Sequence, residues 1–219
     1  SYLHGVMGLS SFVNAFVGPD HRNHTWNVMQ MGQAGLSLPS RHSYLNKDAD
    51  DPNILALQNK IIMLLDLYNR DTNTTIDETS IDRANAIITF ETQLANIFLG
   101  RTDMRDPNAT YNVLNVESEL NQNGESVMDY HDFFEMILCG PPNPPHHHNH
   151  NGTNHTNHDN GPSSHNEPHD HPSCFIPETV IVSSPQYLLS LNELLRTTSA
   201  GTLLDFLQWK ALSALSSHL

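Results

Sequence analysis

The chain has 219 residues, room for one large domain or for a domain carrying a long insertion. Its formal net charge of −14, with only 10 Lys and Arg, repels nucleic-acid phosphates and anionic lipid, so nucleic-acid binding is set aside. No apolar run approaches the roughly 18 residues that cross a bilayer. No charged segment followed by an apolar one opens the chain either, so no signal peptide is visible, and with Ser1 and no initiator Met at its start it reads as an excerpt from something longer.

In chain order, residues 1–16 are small and apolar with little periodicity, and Gly18, Pro19 and Asp20 mark a turn. Residues 26–31 alternate loosely and are read as a short strand, and Gly32, Gly35 and Pro39 then force a loop. Asp51-Pro52 opens a helix, because Asp is a favoured cap and Pro a favoured first residue. Ile54, Leu55, Leu57, Ile61, Ile62, Leu64, Leu65 and Tyr68 give it a broad apolar face.

A second helix is expected over 76–98 as a central strut. Ile81, Ala84, Ile87, Ile88, Glu91, Leu94, Ala95 and Phe98 recur at threes and fours, and Gly100 is placed to stop it. Asn115 is read as the cap of a short helix through Leu120, and a further helix is expected over 126–138. Residues 179–182 form a β-branched strand. Ser184-Pro185 restarts a helix, and Thr198 or Ser199 caps the last one.

The segment between is different. Residues 140–177 are rich in His, Asn and Pro and have almost no apolar residues, so they are expected to be a disordered insertion. Nine histidines fall here, among them His146, His147, His148, His150, His169 and His171, which are weak candidate ligands for Zn²⁺, Cu²⁺ or Ni²⁺. Cys139 and Cys174 flank the segment. They either pair with each other or are two unrelated thiols, or have partners elsewhere. Five N-x-[ST] sequons, at Asn23, Asn73, Asn108, Asn151 and Asn154, lean towards a secreted glycoprotein. Glu91, on an apolar helix face, is read as a buried structural carboxylate rather than a catalytic one, with Arg41 and Arg105 as possible partners for such acids. Trp26 and Trp209 are read as core or interface residues.

These blocks carry a resemblance. Residues 27–45, NVMQMGQAGLSLPSRHSYL, resemble a signature of the neprilysin and endothelin-converting-enzyme family of zinc metallopeptidases, matched at Gln33, Gly35, Leu36, Leu38, Pro39, Arg41 and Tyr44. Gly32 stands where that signature has an acidic residue and Ser43 where it has an aromatic one, which puts any ion pair from that acid in doubt. Residues 90–97 with Glu91 resemble the family's long helix, and residues 105–112 with Arg105, Asp106 and Tyr111 its following turn. Residues 131–138 match a family helix weakly, while 179–195 and the helix after them resemble its strand-then-helix and next helix.

The resemblance implies a mostly α fold: a helical cap region with one or two short β-strands, divided as 1–139, the insertion 140–177, and 178–219. It implies the non-catalytic N-terminal part of an extracellular, secreted or single-pass plasma-membrane peptidase. That enzyme's zinc ligands would lie outside this chain, its partners would be the catalytic lobe and small peptide substrates, and no nucleic acid would be involved. No HExxH occurs, and the string 165–169 has the wrong spacing and a helix-breaking Pro168, so no catalytic residue is assigned. The alternative is a catalytically inactive homologue acting as a binding or His-rich metal-buffering protein.

Overall fold

The computed structural model describes Gly8 and residues 10–72, 78–140 and 175–216. Five helices dominate: α1 (Pro52–Thr72), α2 (Ser80–Ile97), α3 (Tyr130–Cys139), α4 (Pro185–Thr197) and α5 (Ala200–Ser216). One sheet carries β1 (Val13–Pro19), β2 (Asn27–Gln33), β3 (Asn112–Asn115) and β4 (Thr179–Val182), in the order β1-β2-β4-β3. The fold is therefore mostly α, as expected, with four strands where the sequence suggested one or two.

The unexpected strands have local reasons. In β1, burial switches from alternating to irregular after Ala15, and Phe16 and Val17 are both exposed, so the period-2 signal is weak. Antiparallel pairing with β2, from Val13 opposite Gln33 to Pro19 opposite Asn27, makes it a strand. Strand β3 has only four residues, too few to show a period, and pairs antiparallel with β4. Strand β4 also runs parallel to β2, with Ser183 N–H donating to the Met31 carbonyl at 2.9 Å. The chain after the insertion thus closes the same sheet as the chain before it.

Helix starts follow their caps. Asp51 Oδ1 accepts from Asn53 N–H at 2.9 Å at the head of α1. Helix α2 begins at Ser80 rather than at 76, because Thr79 caps it by accepting from Asp82 N–H. It ends at Ile97, where Phe98 is already extended, so Gly100 is not its stop. Helix α3 begins at Tyr130 rather than 126, because Asp129 accepts from the His131 and Asp132 N–H groups. Asn115 caps a single π-helical turn through Leu120, and Ser184 and Ser199 cap α4 and α5.

Helix α2 is the strut, about 27 Å long. It packs against α1, α4 and α5. Phe90 meets Phe206 of α5 at 4.9 Å between ring centroids and Phe12 at 6.2 Å, and Phe12 stacks on Phe206 at 5.3 Å. Arg83, 1% exposed on α2, reaches α5 through Asp205 (2.7 Å) and Gln208 (2.5 Å). Tyr187 of α4 donates to the Phe12 carbonyl at 2.5 Å, fastening the helix layer to the sheet. Of the two tryptophans, Trp209 is core, but Trp26 is 68% exposed beside the β1–β2 turn and is not.

Candidate functional site

The end of β2 and the segment after it are tied to the helices by several side-chain hydrogen bonds. Gln33 bridges to the residue beyond α2, accepting from Leu99 N–H (2.8 Å) and donating to its carbonyl (3.1 Å). Gly35 then turns the chain at φ +112°, a region open to glycine. Tyr44, after a 3-10 turn over Arg41–Ser43, sends its hydroxyl back to accept from Ser37 N–H (3.1 Å) and Leu38 N–H (2.8 Å). Two of the loop's backbone donors are thus satisfied by a side chain, without secondary structure.

Beneath the loop lies Glu91, fully buried on α2. It accepts from Tyr44 Oη at 2.5 Å, from Ser37 Oγ at 2.6 Å and from Ser37 N–H at 3.2 Å. From α5, Trp209 Nε1 donates to Ser37 Oγ at 2.9 Å and Lys210 Nζ to the Gly35 carbonyl at 3.0 Å. Glu91 is thus buried and fully engaged with protein donors. It gathers α2, the loop and the 3-10 turn, and α5 closes over them. Burial lowers the Lys210 pKa, and the charge of Glu91 opposes that shift.

The two arginines do not pair with it. Arg41 Nη1 donates to the Phe98 carbonyl at 2.6 Å, closing the frayed end of α2, and its buried Nε has no partner among the described residues. Arg105 is exposed and ends a short 3-10 turn. Asp106 organises the next turn through Asn108 N–H (2.9 Å). Tyr111 donates to Asp20 at 3.1 Å with Arg22 lying 4.0 Å over its ring. At Gly32, an added Cβ would lie 2.8 Å from Ser183 Oγ, a buried hydroxyl without a partner among the described residues. An acid at position 32 would thus face Ser183 across β2–β4.

Three buried tyrosines set an alkaline limit. Burial raises the pKa of Tyr44, Tyr130 and Tyr187, and the Glu91 charge adds to the shift at Tyr44. A raised folded-state value favours folding below the ordinary tyrosine value near 10 and loses that contribution as pH climbs above it. Lys210, shifted down, has the opposite sign, and its gain ends near its ordinary value of 10.5. Above that the tyrosines dominate, each costing up to about 1.4 kcal/mol per pH unit. Denaturation midpoints are expected to fall steeply between about pH 10.5 and 12. A flat profile there would show that these hydroxyls ionise without unfolding.

The sequence candidates are dispersed. Asn23 and Asn108 are exposed in turns, and Thr25 Oγ1 donates to Asn23 Oδ1 at 2.7 Å. Asn73, Asn151, Asn154, the candidate histidines and Cys174 lie outside the described residues. Cys139 ends α3 and is disulfide-bonded. Among the described residues, one His/Asp/Glu group brings its ligand atoms within 4.8 Å of one another: His131, Asp132 and Glu135 on α3. All three are exposed, whereas a catalytic zinc needs a dry, shaped cavity. This group does not fit the zinc that the resemblance implies. Also among the described residues, no helix is long and apolar enough to cross a membrane.

Sequence reasoning did not find Ser37, Trp209 Nε1 or Lys210 as members of the buried polar cluster. The only available signal was a Lys in the apolar pattern of α5.

The family model described as peptidase family M13 matches residues 1–219. The chain is 28% identical over 211 residues to the endothelin-converting enzyme homolog of Locusta migratoria, covering 93% of this chain and 24% of that protein. Rattus norvegicus endothelin-converting enzyme 1 is 36% identical over 103 residues, 47% of this chain and 13% of that protein. Mus musculus neprilysin is 24% identical over 223 residues, 99% of this chain and 26% of that protein. The chain thus spans about a quarter or less of the length of these relatives. Among solved structures, the Mycobacterium tuberculosis zinc metalloprotease Zmp1 in its open state has the same fold in this region. The TM-score is 0.62 over 92% of this chain and 25% of that one, at 16% identity.

Proposed function

Because the chain belongs to peptidase family M13, we propose that it is the non-catalytic cap region of an extracellular zinc metalloendopeptidase that cleaves small peptides. In this reading the zinc ligands and general base lie elsewhere in the polypeptide, since no HExxH occurs in these 219 residues. Zinc bound there would supply an activated water. The residues described above shape and brace the wall of the peptide chamber.

The observation that carries this reading is the surface of α5. A helix apolar on most sides belongs in an interior. Yet α5 fully buries only Phe206 and Trp209, leaves Leu203, Leu207 and Leu212 half-buried, and exposes Leu204 (67%) and Leu215 (53%). A catalytic lobe packed on α5 would take this surface out of water. An extracellular setting is consistent with exposed sequons at Asn23 and Asn108, and with a disulfide at Cys139.

The test is peptide hydrolysis with and without a chelator. The full-length polypeptide that carries this chain is expected to cleave a short peptide only with zinc present, and residues 1–219 alone are expected not to. Cleavage by residues 1–219 would overturn the non-catalytic assignment. Failure of the zinc-loaded full-length polypeptide would overturn the peptidase reading in favour of an inactive homologue.

The same reading makes the His-rich segment an insertion dispensable for folding. Its composition offers almost no apolar surface to offset an ordering cost of about 1–2 kcal/mol per residue. Replacing residues 143–171 by a short Gly/Ser linker is expected to shift Tm by less than about 2 °C and to remove most Ni²⁺ or Zn²⁺ affinity. A large fall in Tm without metal would show that the segment packs on the domain.

A further inference from the structure

The loop after β2 also forms one wall of an open groove of about 490 Å³, whose other wall is Phe98, Leu99 and Arg101. None of its lining residues is acidic, although the chain carries 24 Asp and Glu against 10 Lys and Arg. Two of those ten cations, Arg41 and Arg101, line it together with the exposed His42. Neither arginine forms an ion pair among the described residues.

Arg41 is held in place by its bond to the Phe98 carbonyl, and its buried Nε still lacks an acceptor. Arg101 is exposed, and Nη2 makes only a long bond of 3.3 Å to the Pro39 carbonyl. The carboxylates nearby are engaged elsewhere or sit outside the lining. Glu91 bonds Ser37 from the core side, and Asp103 lies beside Gly100.

A guanidinium offers its donors in a rigid planar fork that fits a carboxylate and binds it more strongly than a neutral acceptor. Here one fork is already oriented by its bond to the Phe98 carbonyl, and a second, exposed one lines the same groove. Leu36, Leu38 and Phe98 add apolar wall for a side chain next to the bound group.

We propose that this groove is a carboxylate-binding site, with Arg41 and Arg101 as its donors. The chemistry is that of a peptide carboxylate. It is supplied either by a bound peptide, which rests on the peptidase reading above, or by an acidic residue of the remaining polypeptide.

The test uses the full-length polypeptide in chelator, so that binding is read without hydrolysis. Two dansyl-Ala-Leu-Phe probes are compared by fluorescence anisotropy, one with a free C-terminal carboxylate and one amidated. If a bound peptide supplies the group, the acid form binds about tenfold tighter than the amide. Arg101→Gln then cuts that preference to about twofold or less with Tm nearly unchanged, because Arg101 is exposed and makes only the one long bond to the Pro39 carbonyl. Arg41→Lys, which keeps the charge but loses the fork, weakens the acid form alone.

If the rest of the polypeptide supplies the group, acid and amide bind alike. Arg101→Glu then lowers Tm by several degrees in low salt, and Arg101→Gln lowers it less. The site is overturned if acid and amide bind alike and Arg101→Glu leaves Tm unchanged. It is also overturned if the acid preference survives both Arg101→Gln and Arg41→Lys. Hydrolysis is measured separately with zinc restored, so a full-length polypeptide that binds through Arg101 but cleaves nothing removes the peptidase reading and leaves the site standing.

Discussion

Gly35→Val is expected to prevent the protein from reaching a stable fold. The backbone at Gly35 sits at φ +112°, and a Cβ built there would lie 2.2 Å from the Ser11 carbonyl oxygen and 2.9 Å from Leu94 Cδ2. The first contact is with backbone, so no rotamer change relieves it. A side chain in this region of φ costs about 1–3 kcal/mol before any clash. With the clash the loss should exceed about 4 kcal/mol, a large part of a domain's net stability. The damage would spread, since Gly35 O also receives Lys210 and the next residues bind Tyr44 and Glu91. The measurement is soluble yield and thermal unfolding. A soluble variant with Tm within about 2 °C of the parent and altered peptide specificity would identify the loop as a substrate-contacting one instead.

Glu91→Ala is expected to cost about 3–5 kcal/mol, because it breaks a fully buried charged network on one side only. The Tyr44 hydroxyl, the Ser37 hydroxyl and the Ser37 N–H lose their acceptor, and the half-buried Lys210 loses the charge that opposes its desolvation. At about 2–4 °C per kcal/mol for a chain of this size, Tm should fall by roughly 10 °C. Glu91→Gln keeps the shape and one carbonyl acceptor, so its loss should be smaller, about 1–3 kcal/mol. Urea unfolding of the three proteins checks the order. Equal midpoints for Glu91→Ala and the parent would mean that the loop is held by its backbone and Tyr44 alone.

Much of the architecture was legible because it is written in local chemistry. Caps at Asp51, Asn115, Ser184 and Ser199 were readable, since a short polar side chain that accepts from the backbone two or three residues on needs no distant partner. Helix α2 was readable from its 3.6-residue repeat and strand β4 from its β-branched run. Boundaries slipped where a stronger cap lay inside the pattern, at Thr79 and Asp129.

What the sequence determined by itself was the mostly helical fold, the family, and the lack of an HExxH string, because periodicity, caps and ordered motif blocks are properties of neighbouring residues. What only the tertiary structure decided was the company each polar residue keeps. Glu91 binds Ser37 and Tyr44, 54 and 47 positions away, while Trp209 and Lys210 arrive from more than 170 positions away. Arg41 turned to a carbonyl instead of an acid, and Trp26 stayed in solvent while Trp209 went to the core. Strand β1 became visible only through β2. Burial makes these pairings obligatory, since a polar group removed from water must find a partner. Which partner lies within reach depends on how distant segments pack, and no local pattern encodes that.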